Sequence, residues 1–232
     1  MAKNRENHKN DQSVTRIIEV NGKKFLVGML WQPLLSAAGS GKEIAAFAKE
    51  QDMNIAVEYS GLALQAGYAH VTEEKLKESI GAWCLVPVLA TALGESWLGA
   101  FDLDTGLSIM AAVHDGKIIP GCDAIGPRDE IHAMVASVIS MEEWDKFYTT
   151  DEALASSIPP GLEGRVVAKT LKEILVAKRY SKEHKAYSPF QTNTRVFILG
   201  AVIVAMLVAA WFGYQWYQKE ITQKQAQAAE QA

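Results

Sequence analysis

The stretch SWLGAFDLDTGLSIMAAVHDGKIIP, residues 96–120, decides the class of the fold. It contains three apolar runs, which are Ser96–Asp102, Leu107–Val113 and Lys117–Pro120. The runs are separated by Asp104-Thr105-Gly106 and by Asp115-Gly116, which are residue types typical of tight turns. Strands this close in sequence pair with their neighbours, so the pattern predicts a three-stranded meander.

Working outward toward the N-terminus, the runs Val14–Val20 and Phe25–Trp31 flank Asn21-Gly22. An Asn-Gly pair between apolar runs predicts a hairpin with a type I′ turn, because both central residues need positive φ. Asn54–Tyr59 and Ala63–His70 are predicted as further strands. Residues 1–13 are polar, and we predict them to be disordered.

Helices are predicted between these strands from apolar residues at helical spacing. The predicted helices are Gly41–Gln51, a helix with Thr72 as its N-cap, a helix from Pro127 to about Ser140, and Glu163–Tyr180. Met141–Tyr148 is a second short amphipathic segment, and Pro87 makes a central strand position unfavourable at that residue. The fold class is therefore α/β in the broad sense, a mixed α+β domain over residues 14–180.

Val196–Tyr217 reads VFILGAVIVAMLVAAWFGYQWY and contains no formal charge. A helix of that length covers roughly 33 Å, enough to cross a hydrocarbon core of about 30 Å. Aromatic rings gather at its far end, where they suit the headgroup region. We predict a transmembrane helix at 196–217, marked by Val196, Leu199, Val208, Trp211 and Trp216.

Basic residues precede this segment in excess over those that follow it. The preceding ones are Lys178, Arg179, Lys182, Lys185 and Arg195, and the following ones are Lys219 and Lys224. The bias predicts a single-pass inner-membrane protein with a cytoplasmic N-terminus and a periplasmic C-terminus. Residues 181–195 are then a juxtamembrane linker that contacts anionic membrane lipid, and 218–232 form a periplasmic helical stub.

Composition excludes two classes of protein. The 23 Lys and Arg are outnumbered by 27 Asp and Glu, which gives a net charge of −4 and argues against a nucleic-acid partner. Two cysteines are too few for a disulfide scaffold, and they suit a reducing compartment.

Candidate catalytic and cofactor motifs fail on spacing. A phosphate-binding loop ending at Gly41-Lys42 would need glycine where Ser36 stands and a hydroxyl where Glu43 stands. The candidate metal or thiol residues fit no ligand motif; they are His114, Asp115, Cys122, Asp123 and His132. We predict no catalytic residue, no metal and no cofactor, hence no enzyme.

Two polar segments keep open interpretations. Asp102–Gly106 is similar to the phosphate-contacting hairpin turn of actin-like ATPases, contains the Asp-Thr-Gly of aspartic proteases, and also suits a plain turn. Glu142, Glu143 and Asp145, with Asp151 and Glu152 nearby, form a possible acidic interaction face, for which a solvated surface is the alternative.

A resemblance to a known family rests on the opening residues. Ile17–Phe25 (IIEVNGKKF), Val27-Gly28 and Trp31–Leu34 (WQPL) resemble the start of the PilO-type pilin accessory proteins of type IVb and thin-pilus systems. The meander with Trp97, Asp102 and Gly106, followed by Asp115-Gly116-Lys117 and one late apolar segment, is also similar to that family.

This resemblance implies a bitopic inner-membrane scaffold with a degenerate actin-like cytoplasmic domain. Its implied partners are the assembly ATPase, the polytopic platform protein, other inner-membrane pilus components and a second copy in a homo-oligomer. Family members usually continue into a sizeable periplasmic domain, whereas this sequence ends fifteen residues after the apolar segment, so it is open to interpretation as a truncated longer protein. The alternatives are a membrane-tethered nucleotide sensor or ATPase using Asp102–Gly106, and, with less support, a bitopic transcriptional regulator.

Overall fold

The structure is a computed structural model that describes residues 15–38, 40–159, 161, 163–176, 180–190 and 204–214. The chain divides into one unit up to Phe190 and a second from Gln191 onward. The strands are β1 (Arg16–Val20), β2 (Lys23–Val27), β3 (Leu30–Pro33), β4 (Ile55–Ser60), β5 (Leu64–Ala69), β6 (Trp83–Cys84), β7 (Trp97–Asp102), β8 (Leu107–His114), β9 (Lys117–Ile118), β10 (Ala124–Pro127), β11 (Lys146–Tyr148) and β12 (Val166–Val167). The α-helices are α1 (Ser40–Glu50), α2 (Glu73–Ser79), α3 (Leu85–Leu93), α4 (Arg128–Val138), α5 (Glu152–Ser156) and α6 (Leu171–Ile174).

The predicted N-terminal hairpin is confirmed and forms the first sheet, in the order β1-β2-β6. Asn21 and Gly22 have φ values of 51° and 71°, as a type I′ turn requires. The predicted second strand is shorter than expected, because Gly28 takes a φ of 84° and turns the chain away. Trp31 therefore lies on β3, in a different sheet.

The second sheet has the order β3-β5-β4 and is antiparallel throughout. Helix α1 covers one side of it through Ile44 and Ala48, which are buried in the same apolar cluster as Tyr68. Gly67 on β5 lies against the indole of Trp31, where a Cβ would come within 2.8 Å of the ring. Glycine at this position is what allows the large ring to lie flat against the strand.

The third sheet contains the meander that the sequence predicts between residues 96 and 120. Its order is β10-β8-β7-β11-β12, with β9 added to β8, and β7, β8 and β9 pair antiparallel as expected. Strand β11 is parallel to both β7 and β12. Helix α4 packs on this sheet through Ile131 and Val135, which are buried beside Leu98 and Met110.

Helix α3 is apolar on every side, and residues Leu85 to Ala90 are all buried. Pro87 sits in its first turn, where a missing N–H costs nothing. A helix without a polar face must be covered all round, and α3 accordingly belongs to the largest core cluster together with residues of the first sheet.

Two predicted segments adopt other structures. Met141–Tyr148 is a turn followed by β11, because Phe147 and Tyr148 extend the third sheet beside β7. The long helix predicted over Glu163–Tyr180 is wrong: β-branched Val166 and Val167 pair with β11. A new short helix, α6, then begins at Thr170, whose side chain forms a capping box with Glu173.

Residues 180–190, which we call the strap, pack against the sheets. Lys185 bridges to Trp83 of the first sheet, and Tyr187 bridges to Ala56 of the second. The backbone N–H of Ala186 also donates to the carbonyl of Ala82 at 2.9 Å, and the Ala186 side chain is buried. The compact unit therefore reaches residue 190, ten residues beyond the boundary predicted at 180.

Side chains fasten the third sheet to the other two. The amide of Gln65 on β5 both donates to the carbonyl and accepts from the N–H of Ile118 on β9, each at 2.8 Å. The buried carboxylate of Asp123 accepts from the Gly28 N–H at 2.7 Å and from Trp31 Nε1 at 2.9 Å. These side-chain contacts link the three sheets, which share no strand pairing with one another in the part of the chain that the structure describes.

The structure confirms the mixed α+β class, whereas the actin-like assignment stays a prediction. Residues 204–214, part of the predicted membrane segment, are helical. Among the residues described, no helix combines the length and apolar character that a membrane crossing needs. The rest of 196–217, together with 1–13, 191–195 and 218–232, lies outside the described residues.

Asp123 makes the stability of the fold dependent on pH. Burial raises its pKa from 3.8 to about 6, although the N–H donors of Gly28, Trp31 and Met29 pull it down. Between these two values the folded chain keeps a proton that the unfolded chain releases. The free energy of unfolding should therefore fall by up to about 3 kcal/mol as pH rises from 4 to 6.

Chemical denaturation of the protein across this pH range tests the expectation. Asp123→Asn should lack this part of the pH dependence, and the exposed control Asp129→Asn should keep it. Equal pH slopes for Asp123→Asn and the unaltered protein would contradict a raised Asp123 pKa.

Candidate functional site

The predicted acidic residues lie on one turn between α4 and β11, which we call the acidic turn (residues 141–145). The turn is anchored by Trp144, which is fully buried and donates from Nε1 to the carbonyl of Ile139 at 3.1 Å. The N–H of Asp145 donates to the carbonyl of Ser96, and Arg165 donates to the carbonyl of Trp144 at 2.7 Å. These contacts fix the backbone of the turn on both sides.

The outward side of the acidic turn combines charge with an apolar side chain. Glu142, Glu143 and Asp145 are exposed, and Met141 beside them is 69% exposed. Exposed Lys146 and Arg165 border the carboxylates. The arrangement brings the three predicted residues together, and their role as an interaction face stays a prediction.

A residue that sequence reasoning left out of this face is Asp115. His114 Nε2 lies 3.4 Å from Glu142 Oε2 and 3.8 Å from Asp115 Oδ2, and its ring meets Trp144 edge-on. Asp115 comes from the β8–β9 turn, and no spacing in the sequence links that turn to residue 142. The register of β7 and β8 brings the two turns to the same end of the sheet.

Asp151, predicted near the acidic face, does not belong to it. Its side chain is 6% exposed and pairs with the guanidinium of Arg128. It also caps α5, because Oδ1 accepts from the Leu154 N–H at 2.8 Å. This backbone donor first, and Arg128 second, lower the pKa of Asp151.

Asp102, the first residue of the alternative nucleotide turn, belongs to the same ion-pair network. Its Oδ1 accepts from Ser108 Oγ at 2.5 Å, and its Oδ2 lies 3.0 Å from Arg128 Nη2. One guanidinium thus bridges the carboxylates of Asp102 and Asp151. The turn residue that would face a nucleotide is already hydrogen-bonded within the protein.

The same network contains the one grouping among the described residues that could hold a metal ion. The ligand atoms of Asp102, His132 and Asp151 lie within 4.8 Å of one another. Arg128 contacts both carboxylates and supplies the positive charge that an ion would bring. The chemistry of this set therefore fits a structural ion-pair cluster.

The other members of the predicted metal or thiol set lie in two places, with Cys122 and Asp123 in the core and His114 and Asp115 beside the acidic turn. Asp123 is bonded to Trp31 in the core, and His114 faces Glu142. Burial raises the pKa of Cys122 to about 11 and the pKa of Cys84 well above its ordinary value, with Asp123 adding to both. Both thiols are thereby held in the protonated, weakly nucleophilic form.

A groove of about 390 Å³ lies beside the alternative nucleotide turn. It is lined by Arg16 to Val20 of β1, by residues of the β7–β8 turn, and by Thr170 to Lys172. Lys172 Nζ pairs with Asp104 Oδ2 at 2.9 Å across it. Of the residues 36–43 that the structure describes, none belongs to this lining, and Glu43 instead accepts from the Leu35 N–H.

The predicted membrane and juxtamembrane residues divide between described and undescribed parts of the chain. Lys182 and Lys185 lie on the strap, and Val208 and Trp211 lie on the helix of residues 204–214. Outside the described residues are Lys178, Arg179, Arg195, Val196, Leu199 and Trp216.

These features define a mixed α+β domain in which Arg128 pairs with Asp102 and Asp151 and the acidic turn is held at the surface. The family model described as Pilin accessory protein (PilO) matches residues 25–232, and the chain belongs to that family. The resemblance seen in the opening residues is thus confirmed, and the protein has a role in type IV pilus assembly alongside other assembly proteins.

No curated protein matches this chain. Among solved structures, the crystal structure of the cytoplasmic domain of BfpC is similar, with 15% identity and a TM-score of 0.48. That match covers 66% of this chain and 93% of the other chain.

Proposed function

We propose that the protein is a bitopic inner-membrane scaffold that docks the cytoplasmic assembly ATPase to the platform of the pilus machine. Residues 15–190 are its cytoplasmic, degenerate actin-like domain, residues 196–217 are its membrane anchor, and the C-terminus is periplasmic. The family supports the setting, and the distribution of basic residues around the apolar segment supports the orientation.

The acidic turn is the observation that carries the docking role. Its carboxylates and Met141 are exposed, while Trp144, Asp145 and Arg165 hold its backbone in place. A surface that is already ordered loses little conformational entropy when a partner binds. Clustered carboxylates also steer a basic partner toward the site and favour it over acidic ones.

The strap explains how such a dock would resist force. A motor that acts on the platform needs a partner that is held to the membrane. The strap is paired to β6 at Trp83 and to β4 at Ala56, so its attachment is shared between two sheets. A pull on the chain beyond Phe190 is therefore resisted by paired backbone rather than by a free tether.

Charge reversal on the acidic turn tests the dock. Glu142→Lys with Glu143→Lys should weaken binding of the assembly ATPase about tenfold or more, because each lysine would face the basic surface of the partner that the carboxylates attract. Co-purification of full-length protein in mild detergent, followed by titration with the purified ATPase, measures the change.

A matched pair of glutamates on α2 provides the control. Glu73→Lys with Glu74→Lys changes the same charge on an exposed helix elsewhere in the domain and should leave ATPase binding unchanged. If both double variants bind the ATPase as tightly as the unaltered protein does, the dock lies on another surface. If both lose binding, the loss is a general effect of charge.

Membrane orientation can be tested with trypsin added to intact spheroplasts. The domain up to residue 190 should survive until the cells are lysed, while Lys219 and Lys224 should be cut from outside. Digestion of the domain in intact spheroplasts, or recovery of the chain in the supernatant after ultracentrifugation, would contradict the proposed topology.

A nucleotide sensor is the second candidate, and the groove beside Asp104 and Thr105 is the observation that favours it. Arg16 and Lys172 supply cationic groups there, and Thr105 and Thr170 supply hydroxyls. Against it, Asp102 is bridged to Asp151 by Arg128.

We expect no measurable affinity for ATP with Mg²⁺ by calorimetry. Binding that is abolished in Lys172→Ala and kept in Lys169→Ala would instead support a sensor.

A further inference from the structure

Two lysines lie over a pair of aromatic rings, and a third lysine follows on the strap; we call this surface the basic face (Lys23, Lys185, Trp83, Tyr180 and, on the strap, Lys182). Lys185 Nζ lies 4.5 Å from the centre of the Trp83 ring. Lys23 Nζ lies 4.3 Å from the Tyr180 ring and 5.8 Å from the Trp83 ring. The two rings themselves meet edge-on at 5.7 Å.

The basic face combines residues that are far apart in sequence. Lys23 belongs to the first hairpin, Trp83 to β6, and the other three residues to the strap. The bridge between Lys185 and Trp83 fixes the strap against β6, and a short 3-10 turn at Lys182–His184 is capped by Ser181. The lysines of the face therefore have set positions relative to one another.

The neighbouring charges leave this face positive. Lys24, next to Lys23, is neutralised by Glu78 through an ion pair of 2.6 Å. Glu183 is the exposed acidic neighbour on the strap. On the strap, Lys182 and Lys185 outweigh Glu183 in charge, and Trp83 and Tyr180 add rings of the kind that favour the boundary between water and lipid.

The position of the strap in the chain limits how far its end can lie from the apolar segment. Phe190 ends the domain, and five residues separate it from the apolar segment that begins at Val196. Five extended residues reach roughly 18 Å at most. The end of the strap is consequently held near the membrane surface if the segment spans it, which is the part of the proposed function on which this inference rests.

We infer that the basic face is a docking surface for anionic phospholipid headgroups, which orients the folded domain against the cytoplasmic leaflet. Lysine ammonium groups near an anionic surface each strengthen binding about fivefold, and the attraction fades within a Debye length. Two signals then act together, a lipid-crossing anchor and a positively charged face, so the domain takes a fixed orientation instead of rotating freely.

Lysine acetylation of the full-length protein in nanodiscs tests this inference. Discs of phosphatidylcholine alone are compared with discs that also contain phosphatidylglycerol, and the rate at each lysine is read by mass spectrometry. Lys182 and Lys185 should be acetylated several-fold more slowly in the anionic discs, and Lys23 should be slowed as well. Added salt should remove this difference in rate between the two kinds of disc. Lys42 and Lys49 on α1 are exposed controls that should react equally in both discs.

A variant separates lipid contact from packing within the protein. Lys182 has no aromatic contact among those found in the described residues, so Lys182→Glu should leave the fold intact and reduce the protection of Lys185 in anionic discs. The control Lys49→Glu should leave that protection unchanged.

Each result decides between distinct conclusions. Equal acetylation in both kinds of disc, or equal slowing of Lys42 and Lys49, would overturn the lipid-docking face while leaving the scaffold proposal in place. Protection that appears in native membranes but not in anionic discs would assign the face to an acidic protein and overturn the lipid assignment. A chain that does not co-elute with the discs at all would overturn the membrane anchor itself, and this inference with it.

Discussion

The buried carboxylate of Asp123 links the N-terminal sheets to the meander sheet. It accepts from the N–H of Gly28 where the chain leaves β2, and from the indole of Trp31 where the chain enters β3. Burial of an acidic group without partners is costly, and here donors from the first 31 residues meet it. The turn at Gly28, the entry into β3 and the seating of Trp31 against Gly67 all depend on that contact.

Local chemistry explains which parts of the fold the sequence predicts. The turn at Asn21-Gly22 and the meander across residues 96–120 are decided by residues adjacent in the chain, and both are confirmed. The helix predicted over Glu163–Tyr180 fails because Val166 and Val167 pair with Phe147 and Tyr148 of β11, nineteen residues earlier. The signal that could have placed the break was local, since Thr170 and Glu173 have the spacing of a capping box.

The candidate site follows the same division. Glu142, Glu143 and Asp145 are close in sequence, so the sequence predicts them as a cluster. In the structure they share one exposed turn. The register of two strands brings Asp115 next to this cluster. Asp151 is not part of the cluster, because its carboxylate is buried and pairs with Arg128. Both outcomes depend on contacts between distant residues, which spacing along the chain does not encode. The same holds for Lys23, which meets the lysines of the strap through Trp83 and Tyr180.

The strap also has a consequence for biosynthesis. Chains emerge from the ribosome N-terminus first, and the strap is the last part of the domain to appear. Its pairing partners at Ala56 and Trp83 are made long before it. When Tyr187 emerges from the ribosome and can pair with Ala56, much of the apolar segment that follows has already been made. Closure of the domain by the strap therefore comes only after synthesis has passed into the apolar segment, so the domain is completed late in translation.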